Sequence, residues 1–337
     1  MVDVTIGMPV YNGQEHLRLA LDSLLAQTYP HFKLLIFDND STDQTQAICE
    51  AYAQRDSRID YRRNLSNVGA FQNFNLLLEQ ADTPYFMWAA HDDLWAENYL
   101  DALHGTLIEN PNCVLAFGNL TEIDNFWKET IPRSVAMFAA RDPVFERLAT
   151  LILGHGQQAN LVYGLARTKD LKATDGFQLY TKHVWGVDNL LLLRLASLGV
   201  FRHTEVTTHF KRNYYEKRLD QTDFTPASLD YIQKARAEYQ QVKADAIIRA
   251  HIQNSFDFIL KYSPPILEYF ENVREIARCA PITGNDQTIL QTLINAKVTH
   301  WLTPLTDGKG HRQLEQMKTL TDMLELYIYT QAGTENG

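Results

Sequence analysis

The most constraining feature of this chain is the regular alternation of short apolar runs with amphipathic segments from Val4 to Gly118. Val4–Met8, Lys33–Phe37, Ile59–Arg62, Tyr85–Ala89 and Val114–Gly118 read as strands. Between them, Glu15–Ala26, Thr45–Gln54, Ala70–Gln80 and Glu97–Glu109 read as helices. The first of these has Leu17, Leu21, Leu24 and Leu25 on one face, and the third has Phe71, Phe74, Leu77 and Leu78. Ser41-Thr42-Asp43-Gln44 reads as a capping box opening the second helix. Parallel strands need helical crossovers and bury both faces. The pattern therefore predicts an α/β fold with an open, mainly parallel sheet and helices on both sides.

After this region the texture changes. Pro132, Pro143 and Gly154-His155-Gly156 punctuate a less regular stretch. A helix is predicted at Asn189–Ser197, with Gly199 as its C-terminal stop. From Pro226 onward four helical patterns follow, near 227–262, 265–279, 286–300 and 311–331. At 337 residues and 45% hydrophobic composition, two domains are expected. The α/β domain is assigned to 1–220 and an α-helical C-terminal region to 221–337. A formal charge of −10 offers no basic face for nucleic acid. Cys49, Cys113 and Cys279 lack CxxC spacing and fit a reducing compartment. No run approaches the roughly 18–20 apolar residues of a membrane span. The chain begins directly in a strand, without a signal peptide. These features predict a cytoplasmic protein, with peripheral contact at the inner membrane face left open.

The segment Tyr85–Tyr99 points to chemistry. A buried strand delivers Asp92 and Asp93 at its carboxyl end, where open α/β sheets bind ligands and where hard oxygen donors suit Mg²⁺ or Mn²⁺. The first strand–helix turn, Met8–Gly13, has one glycine rather than Gly-x-Gly-x-x-Gly, which argues against a dinucleotide-binding turn. Tyr11 there either borders a flat base or closes the turn. Asp38, at the tip of the second strand, either accepts the imide N–H of uracil or caps the next helix, and its place at the strand tip favours the first. Asp40 and Asp43 fit helix capping better.

Pro9-Val10-Tyr11-Asn12, Asp38-Asn39-Asp40-Ser41-Thr42-Asp43, Asn67-Val68-Gly69 before Asn73, and His91-Asp92-Asp93-Leu94-Trp95 occur in this order. The set resembles the family-2 glycosyltransferases of the GT-A fold, over about residues 2–215. The resemblance implies a nucleotide-sugar donor, usually a UDP-sugar, a divalent metal cofactor, and inversion at the anomeric carbon. It implies a nucleotide site of Pro9, Tyr11, Asn12, Asp38, Asn67 and His91, and a metal site at Asp92 and Asp93. The family's Asp-x-Asp reads here as Ala90-His91-Asp92, so the first acid is replaced by alanine. Asp92 is then the principal metal ligand, and Asp93 is either a ligand, an outer-shell residue or a helix-entry residue.

His183–Leu195 resembles the family's catalytic stretch and makes Asp188 the base that deprotonates the acceptor hydroxyl. Val187 stands where the family often has a second acid. The competing role for Asp188 is capping the helix, a position that lowers a carboxylate's pKa. At 209–213, His209 is a candidate to approach the metal, and Lys211 or Arg212 to neutralise the leaving diphosphate. Asn213 stands where a histidine is expected, and a solvated basic loop is the alternative. Trp95, Trp185 and His155 are candidates to shape an acceptor pocket; His104 and His203 have no partner at metal-ligand spacing. The expected partners are a nucleotide-sugar and a glycan or lipid-linked acceptor. The helical region is expected to pack on the catalytic domain, form a homodimer interface or hold the acceptor. A sugar-nucleotide-binding scaffold without activity and a nucleotidyltransferase are the rival readings.

Overall fold

The computed structural model describes residues 2–123, 130–139, 143–153, 157–178, 186–212 and 268–302. The chain divides into two compact units, Met1–Leu179 with Gly186–Tyr214, and Tyr180–Trp185 with Tyr215–Gly337. In the first unit the elements are β1 (Val4–Val10), α1 (Leu17–Leu25), β2 (Phe32–Asp38), α2 (Thr45–Ala53), β3 (Ile59–Arg63), α3 (Ala70–Gln80), β4 (Tyr85–Trp88), β5 (Leu94–Trp95), α4 (Tyr99–Glu109) and β6 (Cys113–Ile123). They continue as β7 (Thr130–Arg133), α5 (Val144–Leu153), β8 (Leu165–Arg167), α6 (Thr168–Lys172), α7 (Val187–Leu198) and β9 (Val200–Arg212). Every residue of β1 and β4 is buried, which is why both read as unbroken apolar runs.

The strands form one sheet in the order β3-β2-β1-β4-β8-β6-β9-β5, with β7 on β6. The first four strands are all parallel. Beyond β4 the sheet is mixed. β8 runs antiparallel to β4 and β6, β9 runs parallel to β6, and β5 pairs antiparallel with β9. The order places a switch point between β1 and β4, because successive crossovers leave β1 in opposite directions. A crevice therefore opens beyond the carboxyl ends of these two strands.

Aromatic packing beneath the crevice ties α3 to the sheet. The Phe177 ring lies 4.9 Å from Trp88, 5.3 Å from Phe74 and 5.5 Å from Phe71. Asn75 fixes the Phe177 backbone, accepting from its N–H and donating to its C=O, both at 2.8 Å.

Of two expectations about helix ends, one is corrected and one holds. Ser41–Gln44 does not form a capping box. The Ser41 and Thr45 hydroxyls accept instead from the N–H groups of Asn12 (2.9 Å) and Gly13 (2.8 Å), stitching the β1–α1 turn to the β2–α2 loop. Asp43 Oδ1 takes over the local N–H of Thr45. Gly199 ends α7 as expected, with extended backbone (φ −174°). Its missing side chain is needed for packing, since a Cβ would sit 2.4 Å from Val114 Cγ1 and 2.8 Å from the Asn112 carbonyl.

In the second unit the described residues form two helices, α8 (268–279) and α9 (Gly284–Leu302). They match the patterns near 265–279 and 286–300. Phe270, Val273 and Ala277 on one and Leu290, Leu293 and Ile294 on the other are buried, and Arg274 Nη2 donates to Asn295 Oδ1 (3.1 Å). The patterns near 227–262 and 311–331 lie outside the described residues. Among the described residues no helix is long and apolar enough to cross a membrane.

The Gly199 contact gives a direct test. Gly199→Ala should destabilise the protein by about 1–3 kcal/mol, the usual cost of overpacking a tight core, as read by urea denaturation.

Candidate active site

One wall of the crevice is the turn after β1. Pro9 is buried within β1 opposite Phe37, so it shapes this wall from inside the sheet. Tyr11 is half-buried at the turn. Asn12 adopts a left-handed conformation (φ 50°), which turns its side-chain carbonyl onto the Thr42 N–H (2.9 Å). Gly13 is required by a neighbour from the other wall: a Cβ there would lie 2.7 Å from His91 Cδ2. His91 therefore packs closely against the β1–α1 turn, beyond the paired ends of β1 and β4.

At the tip of β2, Asp38 has no exposed surface. Its Oδ1 accepts from the Ser41 N–H (2.9 Å), and its Oδ2 accepts from Tyr61 (2.8 Å) and Arg63 Nη1 (3.2 Å). A base reaches this carboxylate only once a neighbouring group moves. Asn67 belongs to an asparagine network that the sequence did not reveal. Asn39 Nδ2 donates to Asn67 Oδ1 (2.8 Å), and Asn64 Nδ2 donates to both Asn39 Oδ1 (3.1 Å) and Asn73 Oδ1 (3.0 Å). Asn73 in turn donates to the Phe37 carbonyl (2.8 Å). These amides fix the loop before α3 to the end of β2.

The two adjacent aspartates after β4 have opposite environments. Asp93 is buried, with both oxygens committed: His209 Nε2 donates to Oδ2 (2.9 Å) and the Arg212 N–H to Oδ1 (2.8 Å). Asp93, expected alongside Asp92 as a metal ligand, is thus placed as an anchor to β9. His209, expected near a metal, is its partner. The β5–β9 register sets Trp95 opposite His209, and their rings stack at 5.5 Å. Arg212 Nε also donates to the Asp92 carbonyl (2.9 Å). The Asp92 side chain is part-exposed, and among the described residues nothing donates to its carboxylate. Of the two acids, Asp92 is the one able to hold a cation.

Asp188 enters from α7, whose N-cap is Gly186 in the left-handed region (φ 73°). Asp188 lies in the first turn, where its own N–H and the Lys211 charge lower its pKa. Burial acts more strongly and pushes the carboxyl above its usual range. The expected lowering by the helix terminus is therefore reversed. Lys211 is tied to Asn160 by a short hydrogen bond from Nζ to Oδ1. Tyr163, not singled out in the sequence, joins the acids: its hydroxyl pKa is raised well above normal, first by burial and then by the charges of Asp93, Asp92 and Asp188. Its ring lies 5.4 Å from His209. His155, Trp185 and Asn213 lie outside the described residues.

A mixed α/β sheet of this order, with acids at the ends of β2 and β4, is the GT-A arrangement. Residues 5–161 match the family described as Glycosyl transferase family 2. An uncharacterized glycosyltransferase of Rickettsia typhi is 34% identical over 98 residues, 29% of this chain and 30% of that protein. The Escherichia coli UDP-Glc:alpha-D-GlcNAc-diphosphoundecaprenol beta-1,3-glucosyltransferase WfgD is 32% identical over 122 residues, 36% of this chain and 47% of that protein. The chain thus spans less than half the length of these curated relatives. The crystal structure of Staphylococcus aureus TarS 1–349 in complex with UDP-GlcNAc shares the fold, with a TM-score of 0.56, 16% identity and 92% of both chains covered.

The raised pKa of Asp188 makes a stability prediction with a definite sign. A carboxyl whose folded pKa is raised contributes stability that is present below the unfolded pKa and lost as pH rises through the folded one. Asp188→Asn should therefore melt higher than wild type at pH 7, on the order of a few degrees, with the gap closing toward pH 4. A helix-capping role predicts a lower melting temperature instead.

Proposed function

We propose that this protein is an inverting glycosyltransferase. It moves a sugar from a nucleoside-diphosphate donor, a UDP-sugar, to a hydroxyl on a glycan or lipid-linked acceptor of the bacterial cell envelope. What supports this reading is that the charges of Asp92 and Asp188 both reach the buried Tyr163 hydroxyl and raise its pKa, while burial raises the pKa of Asp188 itself. A base serves best when its pKa approaches the working pH, and burial moves Asp188 in that direction. The donor and acceptor classes are supported by the name of WfgD and by the UDP-GlcNAc complex of TarS.

In this mechanism the acceptor hydroxyl gives its proton to Asp188 as its oxygen attacks the anomeric carbon. The bond from that carbon to the diphosphate oxygen breaks, and the electron pair leaves with the diphosphate. One displacement inverts the configuration, and no enzyme nucleophile is needed. Asp92 is the carboxylate that would hold Mg²⁺ or Mn²⁺ with diphosphate oxygens and water, and such an ion offsets charge on the leaving group. One protein carboxylate suffices for a cation delivered on a diphosphate, which accommodates both Ala90 and the committed Asp93. Lys211, held by Asn160, adds a positive charge beside Asp188.

The test is sugar release and transfer from a panel of UDP-sugars with Mn²⁺ present. Wild type should turn over one donor, and Asp188→Asn should lower kcat by about 10²-fold or more with UDP binding retained. Equal rates in the two proteins would remove Asp188 from the base role. Tight UDP binding without turnover in wild type would assign the crevice to a sugar-nucleotide-binding protein.

A further inference from the structure

Resting on the uridine-donor reading, we propose that Arg63 and Tyr61 are positioning residues. They orient the Asp38 carboxylate so that it reads the pyrimidine ring and favours uridine over cytidine donors. The preference would then be built into β3 as well as the tip of β2.

The geometry is set by strand register. β3 pairs in parallel with β2, and Arg63 stands directly beside Asp38, with Tyr61 beside Ile36. Residues two apart on a strand face the same side, so Tyr61 and Arg63 reach the same carboxylate. Both donate to Oδ2, at 2.8 and 3.2 Å, while Oδ1 takes only the Ser41 N–H at 2.9 Å. A carboxylate offers about four acceptor positions over its two oxygens. Among the described residues the loading is therefore lopsided: Oδ2 is held by two side-chain donors, and Oδ1 keeps one acceptor position, which the imide N–H takes once the group covering the carboxylate moves.

Arg63 does this while spanning a second acid. Its Nη2 donates to Asp40 Oδ1 (2.7 Å), and its Nη1 also reaches Gln46 Oε1 (3.2 Å). Asp40 adopts a left-handed backbone (φ 64°), uncommon for a residue with a side chain. The guanidinium thus bridges the two acids on either side of Asn39, a task suited to its planar fork and not to an ammonium. Since Asp38 has no exposed surface, its orientation is imposed by these donors and not by solvent.

The chemical consequence is discrimination between bases. The uracil imide presents an N–H at the ring position where cytosine presents a lone pair. A fixed acceptor oxygen attracts the first and repels the second. A carboxylate released from its Oδ2 donors can rotate, and the contrast between the bases is blunted.

The test is calorimetric titration of UDP and CDP into wild type, Arg63→Met and Tyr61→Phe, with melting curves for each protein. The proposal expects wild type to prefer UDP. Arg63→Met should reduce the UDP-to-CDP affinity ratio about tenfold, the scale of a lost charge-assisted hydrogen bond. Tyr61→Phe, which keeps the ring and removes one donor, should reduce it severalfold. Arg63→Lys should restore only part of the ratio. If Arg63→Met does not fold, Tyr61→Phe decides. Folded variants that keep the wild-type ratio overturn the proposal, as does a rise in UDP affinity at constant ratio, which would make Arg63 a cover. A wild type that does not distinguish UDP from CDP would instead overturn the uridine-donor reading.

Discussion

The buried Asp93 carboxylate is the tie on which the crevice depends. It joins the segment leaving β4 to the end of β9 by hydrogen bonds from His209 and from the Arg212 backbone. These residues are distant in sequence, and the pairing closes the sheet edge through the two-residue strand β5. A buried charge is tolerated only when its oxygens are satisfied, and breaking such a pair by removing one partner is strongly destabilising. The anchor also explains how adjacent aspartates can do different work. With Asp93 fixed inward, Asp92 remains part-exposed beside the crevice, and its own carbonyl is held by Arg212.

The opposite balance governs Asp188. Its position in the first turn of α7 favours the ionised form, yet burial prevails and raises the pKa. Folding therefore keeps a carboxyl at some cost to stability at neutral pH, as is common where a group is retained for its chemistry. The polar groups between the end of β2 and α3 are more fully engaged. Asn39, Asn64, Asn67 and Asn73 satisfy one another, giving the loop before α3 a fixed shape without a regular element.

The parallel half of the fold was legible in sequence because its signal is local. β1 and β4 are buried throughout and read as apolar runs, and α3 was bounded at Ala70 and Gln80 as observed. The mixed half was less legible. β8 is three residues long and β5 two, too short for any periodicity, and their partners are set by tertiary contact. At the site, strand-end acids could be picked out, but their environments could not. Nothing in Asp92-Asp93 says which side chain turns inward, because the answer lies in His209 and Arg212. Ser41 and Thr45 carried a capping pattern, yet the N–H groups of the turn after β1 claimed their hydroxyls. Tyr163 had no local motif, and its relevance arises only from the acids around it.

The proposal at the centre of this reading is that Asp92 would hold a divalent cation together with a nucleoside diphosphate in the crevice between β1 and β4. The most direct measurement is calorimetric titration of UDP with and without Mn²⁺, in wild type and in Asp92→Asn. Mn²⁺ should tighten UDP binding markedly in wild type, and this gain should be largely lost in the variant. Equal strengthening by Mn²⁺ in both proteins, or none in wild type, would contradict it.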